Sequence, residues 1–417
     1  GGVSALAFMA LQIFPLPSPL VALLSPRSYI LWNRAAEVIN NGFPDLVPAW
    51  FTLSVDPRST TREMIGFASR LAVFVLATQL FRKTGPKIAL GTVLVGSAAF
   101  QVIYGIRHWS GGMMEIWGWT NRLIHGRMGG TFVNPNHLAH YLALVLPLSV
   151  FLLLHAWYRT RREPSLQVRV ERFFTRHSPL VLIGGAGVFF ATFGILLAKS
   201  RGVILAVSIA VIVGLTLFRE ESAARRGHAG RGVRRKMLVT ALAVVMALGA
   251  AVLFLGTERV TVRMVPTRDE AVTLVGRVDG ARIALDLWQM FPVMGSGFGT
   301  FENVALMVSG ESGYYYRHAH NDWLEFLATT GLIGFGFVTL AFFFGLRAMA
   351  RATWPRLNGN GNGNGSGSHR RFSAMGAVVI LFVLLHALVD FNFYIPANSY
   401  TFAVIAGATV ALPSRRR

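Results

Sequence analysis

The sequence predicts an all-α protein that crosses a membrane several times. Hydrophobic residues make up 53% of its 417 positions, charged residues only 14%, and the mean hydropathy is +0.50. A soluble protein carries about 25% charged residues, so this chain has too little polar surface for water. Its apolar residues fall in runs close to the roughly 20 residues that a helix needs to cross a bilayer. Such runs must be helical, because in lipid the backbone has to satisfy its own hydrogen bonds.

The apolar runs predict about ten transmembrane helices at one helix per bilayer thickness. They lie at residues 3–24, 64–81, 87–104, 135–157, 179–198, 203–218, 237–256, 323–345, 372–390 and 398–413.

The connections between these runs divide the chain into three parts. We predict an N-terminal transmembrane bundle at 1–256, a large outer loop at 257–322, and C-terminal transmembrane helices at 323–417. Residues 358–368 read NGNGNGNGSGS and predict a flexible cytoplasmic linker. The chain begins Gly1-Gly2 without Met, so we expect that upstream helices are missing.

The positive charge indicates the orientation in the membrane. The net charge is +21, and Arg residues cluster in segments 158–178, 219–236 and 346–371 and at Arg415–Arg417. These segments fall on one face of the alternating topology, which the positive-inside rule makes cytoplasmic. The charge therefore predicts contact with anionic membrane lipids rather than binding to nucleic acid. The chain has no Cys, which excludes disulfides, zinc–thiolate sites and thiol nucleophiles.

The opposite face carries the residues typical of a functional site. Its longest connection is 257–322, and a connection of that length is usually functional. Lys199-Ser200-Arg201-Gly202 is squeezed between two spans on the same face. The Arg201 guanidinium either extends to lipid headgroups or points into a cavity, where its planar fork suits a phosphate or diphosphate.

Two features of the long outer loop are predicted. A helix opens at Gly276-Arg277 and ends before Pro292, with an apolar stripe of Ile283, Leu287 and Met290. Arg277 at its positive N-terminal end is well placed to meet an anion. The run at 295–299, GSGFG, predicts a tight turn rather than a nucleotide loop, because no βαβ unit surrounds it.

A histidine at the end of the loop is a candidate general base. His320 follows a run of tyrosines and stands between Arg317 and Asp322. Its ordinary pKa near neutrality suits proton transfer. Two alternatives are an interfacial histidine that bonds a carbonyl group and a metal pair with His318. The metal pair lacks a Glu or Cys partner in a ligand pattern.

The arrangement His320-Asn321-x9-Gly331-x2-Gly334 resembles the C-terminal signature of the bacterial O-antigen ligase and O-antigen polymerase superfamily. Members usually have about twelve helices. This sequence predicts about ten, counted as one helix per bilayer thickness. Further runs similar to the family lie in the same order: Phe14–Pro17 with Leu24–Pro26, Gly130–Ala139, Ser200–Gly202, Gly276-Arg277 and Leu388–Asn392.

The resemblance implies a metal-independent, inverting glycosyltransferase that needs no cofactor and faces the periplasm from the bacterial inner membrane. Its donor would be a glycan on undecaprenyl diphosphate, and its acceptor lipid A-core or another lipid-linked glycan. His320 would be the base, while Arg201 and Arg277 would stabilise the leaving diphosphate. Arg317, Asn321 and Asp390 would orient the base or the sugars. Asn134, Asn136 and His137 are either part of this machinery or polar groups that hold helices together.

Three other functions remain open at this point. A polymerase would share every motif of a ligase, so the ligase is favoured by analogy alone. A transporter would place ionisable residues near the middle of its spans, whereas most spans here lack charge at their centres. A purely structural role in a polysaccharide assembly complex is the third alternative.

Overall fold

The computed structural model describes residues 1–42, 50–109, 113–225, 268–309, 315–353 and 367–412, which are mainly helical. The helices are α1 Gly2–Ile13, α2 Ser18–Leu24, α3 Pro26–Gly42, α4 Pro57–Leu80, α5 Thr84–Trp109, α6 Pro135–Arg159, α7 Leu166–Thr175, α8 Ser178–Ala198, α9 Arg201–Arg225, α10 Arg268–Met290, α11 Phe301–Val304, α12 Asp322–Thr353, α13 Gly367–His386 and α14 Pro396–Val410. Two antiparallel pairs of strands accompany them: β1 Leu16–Pro17 with β2 Trp50–Phe51, and β3 Met113–Ile116 with β4 Trp119–His125.

The predicted fold class, an all-α polytopic membrane protein, is confirmed. Six described helices are long and apolar enough to cross a membrane: α4, α5, α6, α8, α12 and α13. The predicted spans 203–218 and 398–413 fall on α9 and α14. The predicted span 237–256 and residues 358–366 of the predicted linker lie outside the described residues.

The prediction of one continuous span at 3–24 is wrong. Helix α1 ends at Ile13, the chain extends through β1, and α2 begins at Ser18. Pro15, Pro17 and Pro19 explain the break, because proline lacks the amide hydrogen that a helix interior needs. The extended segment is held by pairing of Leu16 with Phe51.

The described chain divides into two compact units. The first, here called the loop unit, comprises Gly1–Ala72, Pro266–Arg347 and Ala387–Phe393. The second, here called the bundle unit, comprises Val73–Val265, Ala348–His386 and Tyr394–Arg417. In the bundle unit α6 is the central helix and packs against α5, α8, α13 and α14.

The core of the loop unit confirms the apolar stripe of α10. Ile283 and Leu287 are buried against Phe301, Val304 and Ala319, and Met290 packs on the same cluster. Helix α10 ends at Met290 as predicted, but its described residues begin at Arg268 rather than at Gly276. Residues 268–275 continue the helix because none of them is Pro or Gly. Arg277 therefore lies inside the helix, and the expectation of a helix N-terminus at this arginine is wrong.

The predicted turn at 295–299 is confirmed, and it is fastened to a break in α12. Gly295, Gly297 and Gly299 have φ values of 73°, 117° and 77°. The turn amides of Ser296 and Gly297 donate to the carbonyls of Ala328 and Thr329 at 3.2 and 2.9 Å. Gly331 interrupts the helix with φ 60° and ψ −171°. The turn thus satisfies carbonyls that a broken helix leaves without partners.

Replacement of Gly331 by Ala is expected to destabilise the loop unit. An added Cβ would lie 2.3 Å from the Val293 carbonyl oxygen, and φ is positive at this position. Strain and overpacking together cost about 3 kcal/mol, which a chemical or thermal unfolding curve of the purified protein would measure. Gly336→Ala on the same helix is the control, because its Cβ would meet no atom within 4 Å. Equal stability of the two variants would contradict the packing argument.

Candidate active site

His320 and Asp390 form a pair in the loop unit. The His320 Nδ1 lies 3.9 Å from the Asp390 Oδ1, with the imidazole 33% and the carboxylate 2% exposed. His320 has φ 52°, the left-handed conformation that a non-glycine residue seldom adopts. The carboxylate lies on the Nδ1 side, which leaves Nε2 as the nitrogen available to an incoming hydroxyl.

Backbone contacts hold this pair together although its members are far apart in the sequence. The Asp322 amide donates to the carbonyls of Ala387 and Asp390 at 2.9 and 3.3 Å. In return the Phe393 amide donates to the Asp322 Oδ2 at 3.3 Å. The segment 387–393 is thereby fastened to the start of α12, directly beside His320.

Asn321 lies at the start of α12 and caps it. Its Oδ1 accepts a hydrogen bond from the Leu324 amide at 3.1 Å, as expected of an N-cap asparagine. This contact gives Asn321 a structural task next to the base. Its predicted role in binding the substrate stays a prediction.

A second histidine–carboxylate pair stands beside the first, and its carboxylate was not among the predicted site residues. The His318 Nδ1 lies 2.9 Å from the Glu325 Oε1, and the Glu325 Oε2 accepts from the Ala319 amide at 2.8 Å. The ring of Phe391 separates the imidazoles: His318 stacks on it at 4.3 Å and His320 meets it edge-on at 5.0 Å. The sequence does carry a signal for Glu325, because it is a charged residue in the first turn of an otherwise apolar span.

No group of three or more His, Asp or Glu side chains able to hold a metal ion occurs in the described ranges. The two histidines pair with separate carboxylates, Glu325 and Asp390, on either side of Phe391. The arrangement therefore suits proton transfer by an imidazole that has a carboxylate beside it.

Arg277 lies near this site through the packing of α10. An added Cβ on the buried Gly280 would be 3.1 Å from the Ala319 carbonyl oxygen, so the two backbones are closely packed there. Arg277 is one helical turn before Gly280, on the same face of α10. Its Nε is buried and has no hydrogen-bond partner among the residues that the structure describes. A buried guanidinium nitrogen without an acceptor suits an anionic ligand.

Arg317 lies at the exposed edge of the same unit. Its Nε donates to the Glu302 Oε1 at 3.1 Å, and its side chain is 72% exposed. The Tyr315 hydroxyl donates to the same oxygen at 2.6 Å, which raises the pKa of Tyr315. Exposed ion pairs of this kind contribute little to stability. The predicted role of Arg317 in binding the substrate stays a prediction.

Arg201 belongs to the bundle unit, where it is the first residue of α9 and is exposed to solvent. The predicted tight connection is confirmed, because α8 ends at Ala198 and α9 begins at Arg201. Lys199 adopts φ 50° in the turn between the two helices. The predicted convergence of Arg201 with His320 stays a prediction.

The turn before Arg201 is held by Arg127 and by the run at 130–139. The Arg127 Nε donates to the Ala198 carbonyl at 2.9 Å, and its Nη2 donates to the Asn136 Oδ1 at 2.5 Å. Asn134 caps α6 by accepting from the Asn136 amide at 2.9 Å. These contacts support the structural interpretation of Asn134 and Asn136. Arg127 was not predicted from the sequence, because its contacts lie up to 71 positions away.

Part of the chain matches a known protein family. Residues 186–339 match the family model described as O-antigen ligase. The chain carries an O-antigen ligase domain. The domain supports membership of the O-antigen ligase and polymerase family, as the resemblance of the His320 signature predicted. It includes Arg201, Arg277, Arg317, His320 and Asn321, whereas Asp390 lies beyond its end.

The O-antigen ligase domain assigns the chain a general type of activity, that of a ligase- or polymerase-type glycosyltransferase. The candidate spans agree with a multi-pass membrane protein. No protein with a curated description matches the chain.

Proposed function

We propose that this protein transfers a glycan from undecaprenyl diphosphate to a sugar hydroxyl of lipid A-core, at the periplasmic face of the bacterial inner membrane. The observation that carries the proposal is the pairing of His320, which lies in the O-antigen ligase domain, with Asp390, which lies beyond its end. The Arg-rich connections support the orientation, because such connections favour the cytoplasmic side and His320 is predicted to lie on the opposite face.

The chemistry requires a base for the acceptor hydroxyl. As the hydroxyl oxygen bonds to the anomeric carbon, His320 takes its proton at Nε2, while Asp390 stabilises the imidazolium from the Nδ1 side. The bond between the anomeric carbon and the diphosphate oxygen breaks at the same time. Attack opposite the leaving group inverts the anomeric centre.

The leaving group requires positive charge. Undecaprenyl diphosphate gains negative charge as its bond to the sugar breaks, and a fixed cation stabilises that charge. The buried Nε of Arg277 supports its assignment to this role. We assign Arg201 the same role, because its planar fork binds two phosphate oxygens at once. Arg317 would then hold the sugars at the exposed edge.

A reconstituted transfer assay tests the function. The purified protein in lipid vesicles receives a labelled lipid-linked glycan, with lipid A-core as acceptor, in the presence of EDTA. We expect label on lipid A-core, because arginines rather than a divalent cation stabilise the diphosphate.

Three results would contradict the proposal in different ways. A lengthened lipid-linked glycan with unlabelled lipid A-core would assign the chain to the polymerases. Activity that EDTA abolishes and magnesium restores would replace the arginine mechanism by a metal-dependent one. Delivery of an intact lipid-linked glycan across the vesicle membrane would instead indicate a transporter.

A further inference from the structure

A cavity of about 470 Å³ lies within the bundle unit. It lies between α5, α6, α14 and the connection that leads into α6. Its lining consists of Ser97, Gln101, Thr131, Phe132, Tyr141, Pro396, Ala397, Tyr400 and Thr401. A cavity of this size holds a ligand of roughly two sugar rings, since ligand pockets start near 300 Å³.

The lining combines hydroxyl and amide groups with aromatic rings. Six of the nine lining side chains carry a hydroxyl or an amide, and none of the nine is ionisable at neutral pH. Phe132 packs against Tyr141 with ring centroids 5.7 Å apart. Neutral hydrogen-bonding groups beside aromatic faces suit an uncharged, hydroxyl-rich ligand.

Hydrogen bonds fix the shape of the cavity wall. The Gln101 Oε1 accepts from the Thr131 amide at 2.9 Å, and the Gln101 Nε2 donates to the Thr131 Oγ1 at 2.8 Å. The Tyr141 hydroxyl donates to the Ser97 Oγ at 2.8 Å. The Gln101 contacts tie the connection before α6 to α5, and the Tyr141 contact ties α6 itself to α5. A wall held in place before the ligand arrives lowers the ordering cost of binding.

The position of the cavity indicates which face it serves. Thr131 and Phe132 precede the start of α6 at Pro135, whereas the Arg-rich connection follows its other end at Arg159. The 25 residues of α6 separate these ends by about 37 Å at 1.5 Å per residue. Pro396 and Ala397 are exposed and form the mouth. The cavity therefore opens at the end of the bundle away from the positive charge.

We propose that this cavity binds an uncharged stretch of glycan, one to two sugars long. The assignment of that glycan to the donor or acceptor of the transfer reaction rests on the proposed function. A diphosphate is a poor occupant because no lining side chain is a cation. A polyprenyl or acyl chain would offer no hydrogen bond to a lining in which six of the nine side chains are polar.

The test measures binding without turnover. The probe is the oligosaccharide released by mild hydrolysis from the natural lipid-linked donor, titrated against the full-length protein in nanodiscs by calorimetry. Glycan-free undecaprenyl diphosphate is titrated in parallel. Tyr400→Phe with Thr401→Val removes two hydroxyls and is expected to raise the Kd of the oligosaccharide about tenfold. The Kd of undecaprenyl diphosphate should not change.

A variant that fills the cavity with a larger side chain gives a second measurement of oligosaccharide binding. Ala397→Trp should abolish binding of the oligosaccharide by occupying the mouth. Val133→Trp is the matched control, because Val133 is exposed, lies two residues after Thr131 and does not line the cavity. Oligosaccharide binding that is unchanged in both the Tyr400/Thr401 double variant and Ala397→Trp would overturn the proposal. Weaker binding of undecaprenyl diphosphate alone would assign the cavity to the lipid instead.

This design separates the subsite from the proposed function. If the wild-type protein binds the oligosaccharide and transfers nothing, the transfer function fails and the glycan site stands. If the double variant transfers with unchanged KM for donor and acceptor and binds the oligosaccharide normally, the glycan site fails and the transfer function stands.

Discussion

Replacement of His320 by Ala is expected to abolish glycan transfer, with a loss of about 10³-fold or more. A positioned general base contributes 10²- to 10⁴-fold, and without it the acceptor hydroxyl must attack with its proton in place. The side chain is one-third exposed and lies at the entrance to α12, so the fold should persist. The reconstituted assay measures the loss, and circular dichroism with a melting curve checks the fold.

His318→Ala is the matched control for this prediction. Both imidazoles contact Phe391, and they stand two residues apart. The His318 Nδ1 is bound to Glu325, whose other oxygen holds the Ala319 backbone, so His318 supports the segment that carries His320. We expect a partial loss of activity with a lower melting temperature. Full activity of His320→Ala together with an inactive, folded His318→Ala would transfer the role of base to His318.

Replacement of Arg201 by Ala is expected to reduce transfer by about 10²- to 10³-fold. The loss of one fixed donor from a charge-stabilising site has an effect of this size. Arg201→Lys should recover only a part of the activity, because an ammonium group does not match two phosphate oxygens. Arg201 is the exposed first residue of α9, and the melting temperature should remain close to that of the wild type.

Arg127→Ala distinguishes positioning from catalysis at the same turn. Arg127 holds the Ala198 carbonyl and Asn136, so its loss loosens the turn before Arg201 without removing the Arg201 guanidinium. We expect a smaller loss of activity and a lower melting temperature than in Arg201→Ala. If Arg201→Ala transfers glycan in lipid vesicles at the wild-type rate, Arg201 has no part in the mechanism.

The fold class and several local features were predictable because their causes are local. Apolar runs specify spans, and the amphipathic stripe of Ile283 and Leu287 specifies the buried face of α10. The break at 14–17 was predictable from Pro15, Pro17 and Pro19, although a continuous span was expected there. The start of α10 was not, because a single glycine at 276 weakens a helix without ending it.

The partners of the candidate base depended on tertiary structure. Asp390 was chosen by resemblance, but its position beside His320 depends on hydrogen bonds between the start of α12 and residues 387–393. Glu325 escaped notice because its task, holding His318 and the Ala319 amide, depends on the turn of the chain at His320. A spacing along the sequence carries no information about such contacts.

The sequence by itself determined that this protein is helical and crosses a membrane, and it indicated a histidine and arginines on the face away from the Arg-rich connections. Those conclusions follow from transfer free energies and from the side-chain chemistry of single residues. Only the tertiary structure decided that Asp390 faces His320, that Gly331 must lack a Cβ, and that Arg127 supports the turn before Arg201. The physical reason is that hydrogen bonds and close packing join residues that the chain keeps 36 to 71 positions apart.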